Sequence, residues 1–197
     1  MSIVNLLLVD LVPVINKLAA KAVETITTEN LKRWITEGKS EVAKRLLLDL
    51  FEKIVALESD AKGFATLLME FASSYREIIT TIDPRWLMGW GKLLTRQAQR
   101  VTIQTREVSL ALQKLLPQIN IYVPEVVDFF QNADTGFASI PLADKDLATM
   151  IGNGGIEDVA SLDLVISKII EAIEELGKTK RSLSEFIKSE FAFKEVV

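Results

Sequence analysis

The sequence contains no cysteine and no histidine. Without cysteine it can form neither a disulfide nor a thiolate metal site. Without histidine it lacks the commonest general base, the commonest transition-metal ligand and the usual side chain of a switch near neutral pH. A serine nucleophile with a histidine base and a di-iron site built from Glu-x-x-His pairs are both excluded. We therefore expect a protein that is not an enzyme and that holds no metal or cofactor.

Positive charge and long apolar runs are also limited. The chain has 23 Lys and Arg against 27 Asp and Glu, with a net charge of −4. Domains that bind nucleic acid are usually basic, so a nucleic-acid partner is not expected. The longest stretches without a charged side chain, residues 115–124 and 147–156, have ten residues each, whereas a transmembrane helix needs about 20. We expect a cytoplasmic protein, with attachment to a membrane surface as the alternative.

Strand signals are few, and helical periodicity dominates instead. From about residue 40 to residue 82, apolar side chains recur every three or four residues, and charged ones, including Glu58, fall between them. This pattern predicts one helix, about 60 Å long, with a single buried stripe. The expected stripe comprises Val42, Leu46, Leu50, Ile54, Leu57, Ala61, Phe64, Leu68, Phe71, Tyr75, Ile78 and Ile82.

A second long helix is predicted over residues 84–116. Asp83 is a favourable N-cap, and Pro84 is favoured at the first helical position. Because only a short turn separates the two long helices, they should pack antiparallel. The sequence therefore predicts one all-α domain over residues 1–197. It is a helical bundle built on a long antiparallel pair (about 40–82 and 84–116) with shorter flanking helices.

The flanking helices are predicted from caps, glycines and prolines. A helix over residues 162–176 should end at Gly177, because glycine is the usual residue just past a helix end. Ser182 and Glu185 form a capping box that should begin the last helix. Other short helices are expected after Pro13, over residues 31–37 with Thr28 as cap, after Pro124 and over residues 144–151.

Charge is distributed unevenly along the chain. Residues 85–116 hold six cations and one acid, whereas residues 117–177 hold eleven acids and two lysines. Lys92, Arg96 and Arg100 follow one another at four-residue steps and therefore lie on one face of the second long helix. Two interpretations are open. Either acids of the later helices pack beside these cations and neutralise them, or the cations bind an anionic partner, namely an acidic protein or a lipid headgroup surface.

Two tryptophans begin the same helix. Trp86 and Trp90 share a helical face, and the indole ring suits protein and membrane interfaces because it is apolar and has a polar N–H. Alternatively, Trp90 lies in the core and Trp86 covers the bundle end. The apolar segment 3–15 is likewise either buried or docked on a membrane or partner. The candidate contact residues for a partner or membrane are Trp86, Trp90, Lys92, Arg96 and Arg100.

No motif identifies a reaction or a ligand, so a function is inferred from these surfaces. The expected function is non-catalytic and consists of protein–protein interaction or self-association, with a protein partner or a homo-oligomer. The alternative is a membrane-perturbing bundle that uses the apolar N-terminal helix and the Trp-containing basic helix. A third hypothesis, a carboxylate-dependent hydrolase or transferase, requires at least two of five acids to converge in a cleft. Those acids are Asp134, Asp144, Asp146, Glu157 and Asp158.

Overall fold

The structure, a computed structural model, describes residues 11–78, 83–119 and 159–191. These residues are almost entirely helical and include no strand, which confirms the all-α fold class. In chain order the helices are α1 (Val12–Thr27), α2 (Glu29–Trp34), α3 (Ser40–Ile78), α4 (Pro84–Leu115) and α5 (Val159–Phe191). A π-helical turn (Ile35–Lys39) leads from α2 into α3, and a 3-10 turn (Leu116–Ile119) follows α4.

The helices α3 and α4 form the expected long antiparallel pair, with 39 and 32 residues. Near the start of α3, a carboxylate oxygen of Asp49 lies 3.7 Å from Nζ of Lys114, which is near the end of α4. Towards the other end of α3, the ring of Phe71 lies 5.7 Å from that of Trp90, near the start of α4. Residue numbers therefore rise along α3 as they fall along α4. Residues 79–82, predicted to end the first long helix, lie outside the described residues.

The helix α5 packs on another side of α3, also antiparallel to it. The guanidinium of Arg76 donates hydrogen bonds to both carboxylate oxygens of Asp163, at 2.5 and 2.6 Å. Further along the same interface, Lys180 donates a hydrogen bond to Glu58. Residue numbers fall along α5 as they rise along α3 between these two contacts. Because α3 packs on both α4 and α5, it is the helix that joins them.

The helix α1 packs mainly on α5 and only lightly on α4. Ile15 and Ile169 line the same small apolar cavity, and farther along, the hydroxyl of Thr179 donates a hydrogen bond to the carbonyl of Ala19 at 3.4 Å. Residue numbers rise together along both helices, so α1 and α5 are parallel. As a result α1, α4 and α5 run in one direction and α3 runs in the other.

Two helix starts follow the expected capping chemistry. The carboxylate of Asp83 accepts a hydrogen bond from the backbone N–H of Arg85 at 2.8 Å, and Pro84 is the first residue of α4. The hydroxyl of Thr28 accepts a hydrogen bond from the backbone N–H of Leu31 at 3.3 Å. Each cap satisfies an N–H group that has no acceptor within its own helix.

Most of the predicted stripe on α3 is buried, but the prediction is wrong at the start of the helix. Val42 is 38% exposed and Leu46 is half-buried, whereas Ala43 and Leu47 are fully buried. Three consecutive leucines occur there, so periodicity alone does not decide which of them faces inward. The packing of α4 and α5 on two sides of α3 decides it, because the buried face is the one between both neighbours.

The predicted break at Gly177 is wrong. The helix α5 is continuous through Gly177, and the capping box expected of Ser182 and Glu185 does not begin a new helix. Buried side chains continue at helical spacing past Gly177 as far as Leu183. One glycine in a helix costs only about 1 kcal/mol relative to alanine, and burial of this face against α1 and α3 outweighs that cost.

Gly38, between α2 and α3, has a left-handed backbone with φ of +88°. We expect Gly38→Ala to lower the free energy of unfolding by about 1–2 kcal/mol, because L-residues are strained there even where nothing crowds the side chain. Gly89 in α4 is the matched control, because a Cβ at either glycine would meet no atom within 4 Å. Gly89→Ala should raise the free energy of unfolding by up to about 1 kcal/mol, because alanine favours helix. Urea unfolding followed by circular dichroism measures both changes, and a Gly38→Ala protein as stable as the unmodified one would contradict the prediction.

Candidate interaction surface

Trp86 and Trp90 belong to an aromatic cluster between α3 and α4. Both are half-buried and both contact the fully buried ring of Phe71, with ring centroids 5.8 and 5.7 Å away. The two indoles lie 6.2 Å apart with their ring planes at 61°. Tyr75 completes the cluster at 5.7 Å from Phe71. Both tryptophans therefore pack on the core and leave only part of each ring to solvent.

Lys92, Arg96 and Arg100 are exposed on the outward face of α4. Within the described residues, none of the three belongs to an ion pair. By contrast, Lys114 on the same helix pairs with Asp49 of α3. The three cations therefore lie near one another on one face, and no carboxylate of the described residues is within ion-pair distance of them.

The acids of α5 do not supply the neutralisation that was one interpretation of the charge pattern. The helix α5 packs on α3 and α1 and makes little contact with α4. Three of its acids pair with cations of α3 or of α5 itself. These pairs are Asp163 with Arg76, Glu171 with Lys168 and Glu175 with Lys178. Residues 120–158, which hold seven of the eleven acids, lie outside the described residues.

Large apolar side chains lie among the cations of α4. Leu93 is 48% exposed, Ile103 is 57% exposed and Leu110 is 38% exposed. Together with two of the cations and with Glu107 they form the outer row of α4, which consists of Leu93, Arg96, Arg100, Ile103, Glu107 and Leu110. Sequence reasoning identified the cations but missed these apolar residues, although the alternate steps of three and four that join them to Arg96, Arg100 and Glu107 were visible in the sequence. The outward face of α4 is thus both basic and apolar.

A buried ion cluster joins α3 to α5, and sequence reasoning missed it. Glu58 is only 6% exposed, although its place between apolar positions predicted a solvated face. Lys62 donates a hydrogen bond to one of its carboxylate oxygens at 2.7 Å, and Lys180 of α5 donates to the other. Gly177 lies beside the carboxylate, where a Cβ would be 3.6 Å from Oε1. The prediction failed because the cation that favours burial of Glu58 is more than 100 residues away in the chain.

The cluster determines the protonation of Glu58. Burial by itself would raise the pKa of this carboxyl, because the charged form loses hydration. The hydrogen bonds from Lys180 and Lys62, together with the charges of both lysines, outweigh that effect and hold the pKa of Glu58 below its usual value. Glu58 therefore carries a negative charge at neutral pH and acts as a link between helices.

The described residues contain no cluster of side chains suited to a metal ion. No three acidic side chains in these ranges lie close enough together to hold a metal ion. A small cavity at the start of α1 is lined by apolar side chains, including Leu11, Ile15, Phe64 and Val101. The five acids of the hydrolase hypothesis all fall within residues 120–158, outside the described residues, so that hypothesis stays a prediction.

The apolar N-terminal segment is described only in part. Residues 1–10 lie outside the described residues, while Leu11, Val12 and Ile15 are buried in the core. Among the helices that the structure describes, none is both long enough and apolar enough to cross a membrane. Comparisons with protein-family models, curated proteins and solved structures find no match to this chain.

Proposed function

We propose that this chain is a non-catalytic helical interaction protein that binds an acidic protein partner through the outward face of α4. One observation carries the proposal. Lys92, Arg96 and Arg100 form no ion pair with any described residue, while Leu93 and Ile103 lie exposed among them.

A partner that supplies both carboxylates and apolar groups would relieve two unfavourable features of this face. It would offset the repulsion among the cations, and it would remove the apolar side chains from water at about 25 cal/mol for each Å² buried. The whole chain has a net charge of −4, so the basic face of α4 is opposite in sign to the net charge of the protein. Such a local field favours encounter with an acidic surface.

A protein partner fits this face better than a lipid surface. Helices that lie in a membrane interface usually present Trp, Phe and Leu together on their apolar side. The two tryptophans of α4 are packed on Phe71, and the exposed apolar residues of the outer row are each flanked by charged ones. A protein partner can place a carboxylate opposite each guanidinium and an apolar group opposite each exposed aliphatic side chain.

Peptide display tests the proposal, because a random library contains acidic, basic and apolar sequences and does not presuppose which of them binds. Random peptides are selected on the unmodified protein and then counter-selected on the variant Arg96→Glu/Arg100→Glu. We expect enriched peptides that are rich in Asp, Glu and large apolar residues and that bind the variant at least tenfold more weakly, which corresponds to about 1.4 kcal/mol or more. A matched control, Arg181→Glu/Lys188→Glu, makes the same change of charge at exposed positions of α5 and should leave binding unchanged.

The same proteins are compared on vesicles of phosphatidylcholine with and without phosphatidylserine, and by analytical ultracentrifugation. Binding to the anionic vesicles that depends on Arg96 and Arg100, with no charge-sensitive peptide selected, would replace the proposal with the membrane alternative. A dimer that the double variant dissociates would identify a second copy of this chain as the acidic partner. Selected peptides that bind the double variant equally well would overturn the assignment to α4.

A further inference from the structure

The outer row of α4 follows the spacing by which one helix packs lengthwise on another. Its positions alternate between steps of three and four residues, which keeps them along one side of the helix over about 26 Å. The core-facing residues Leu94, Val101 and Val108 repeat every seven residues on a different side of α4 and are fully buried. The helix α4 therefore carries two seams, one of which is filled by the bundle and one of which is exposed.

The exposed seam is linked to α3 by one ion pair. Glu107 of the outer row pairs with Lys53 of α3 at 3.3 Å, which places the row next to that helix. On the α3 side, Gly63 has no side chain, and a Cβ there would lie only 2.9 Å from Nε2 of Gln97. The same Nε2 atom donates a hydrogen bond to the backbone carbonyl of Asp60 at 2.9 Å. The side chain of Gln97 thus occupies the space beside Gly63, and the missing side chain of Gly63 lets α4 pack closely on α3.

We propose that the outer row binds one amphipathic α-helix of the acidic partner. That helix carries apolar residues opposite Leu93, Ile103 and Leu110, and carboxylates opposite Arg96 and Arg100. The inference rests on the proposed function, and it specifies the shape and the sequence pattern of the partner.

The two arginines give the seam its selectivity. Positions of this kind are apolar in most helix pairs, and a polar residue at one of them selects the partner and the register at a cost in affinity. A fully apolar helix would bury both guanidinium groups without a counter-charge, and a basic helix would repel them. Carboxylates at the two facing positions remove both penalties, because guanidinium and carboxylate groups form paired hydrogen bonds.

Three synthetic peptides of about 28 residues, long enough to form a stable helix, test the inference by fluorescence anisotropy. The first has leucine and isoleucine along one seam, with glutamate at the two positions that face Arg96 and Arg100. The second has lysine at those two positions. The third is the first peptide with two central residues replaced by proline, which prevents helix formation. We expect the glutamate helix to bind at least tenfold more tightly than either of the others.

Charge exchange provides the sharpest measurement. The variant Arg96→Glu/Arg100→Glu should bind the lysine helix at least tenfold more tightly than the glutamate helix, which reverses the order seen with the unmodified protein. The α5 variant Arg181→Glu/Lys188→Glu should keep the original order. Circular dichroism of each protein confirms that the bundle remains folded.

The outcomes separate the inference from the proposed function. Equal binding of the proline-containing peptide and the glutamate helix would overturn the helical partner while keeping the acidic one. If the glutamate helix fails to bind but display still yields charge-sensitive peptides, the helical partner is likewise overturned and the acidic one is kept. Failure of both the helix and the displayed peptides would overturn the proposed function as well.

Discussion

Replacing Phe71 with alanine should lower the free energy of unfolding by about 3–5 kcal/mol, the usual cost of removing a buried aromatic ring. Phe71 is fully buried and lies within 6 Å, between ring centroids, of Tyr75, Trp86 and Trp90. Its loss would leave a cavity at the contact between α3 and α4 and would also remove three ring contacts. No other single truncation on these two helices affects as many aromatic partners.

Urea unfolding followed by tryptophan fluorescence measures this effect directly, because two of the three tryptophans of the chain contact Phe71. We also expect the emission of the folded variant to shift to longer wavelength as the indole rings gain water. Met88→Ala is the matched control, because Met88 is on α4 between the two tryptophans and is 51% exposed. Its expected change is within about 0.5 kcal/mol. Equal losses for the two variants would show that the cluster does not stabilise the α3–α4 contact.

Replacing Lys180 with methionine should be the second large effect, about 2–4 kcal/mol at neutral pH. Removing one partner of a buried ion pair costs about 3–5 kcal/mol, and Lys180 is partly exposed, so a lower range is expected. Glu58 would then stay buried with Lys62 as its remaining partner, whose side chain is 57% exposed. The double variant Glu58→Leu/Lys180→Met should regain most of the loss, because well-packed apolar residues replace buried ion pairs at little cost.

These variants and the single variant Glu58→Leu are compared by urea unfolding in one double-mutant cycle. The cycle gives the interaction free energy between Glu58 and Lys180 separately from the change in unfolding free energy that each substitution causes alone. A double variant less stable than Lys180→Met by itself would show that the unpaired carboxylate is not what makes the single change costly. A Lys180→Met protein as stable as the unmodified one would show that Lys62 alone satisfies Glu58.

The same cluster predicts how stability depends on pH. The pKa of Glu58 in the folded chain lies below its usual value of 4.5. The unfolded state therefore binds the proton more readily, so the contribution of Glu58 is fully present above the unfolded pKa and is lost as pH falls through the folded pKa. Between about pH 6 and about pH 3, the Glu58→Gln variant should lose less stability than the unmodified protein. Parallel pH profiles for the two proteins would contradict the assigned direction of the shift.

The local elements of the fold follow from short-range signals in the sequence. Two helix starts could be predicted, one from Asp83 and Pro84 and one from Thr28. A capping oxygen accepts a hydrogen bond from a backbone N–H two or three residues later, and proline needs no acceptor at the first helical position, so both signals are local. The long stripe on α3 was predictable for a similar reason, since one buried face needs only regular spacing along one helix. The prediction failed at Gly177 because the signal for a helix end competes with burial against α1 and α3, which the local sequence does not reveal.

The candidate site was predictable in part. Lys92, Arg96 and Arg100 could be placed on one face because four-residue steps determine their positions on a helix. Whether they have partners depends on which helix lies beside α4, and that neighbour is α3, while α5 makes little contact with α4. The exposure of Ile103 could not be predicted for the same reason, because an apolar residue is equally compatible with a core and with an interface.

The sequence by itself determined that this protein is helical, where its long helices begin, that they pair antiparallel, and that it carries no histidine or cysteine chemistry. Tertiary structure alone decided which charges are paired, and it left Arg96 and Arg100 outside the ion pairs of the described residues. It also buried Glu58 between lysines of two helices and kept α5 continuous. Periodicity reports the apolar face of one helix at a time, whereas burial of a charge depends on distant residues that only folding brings together.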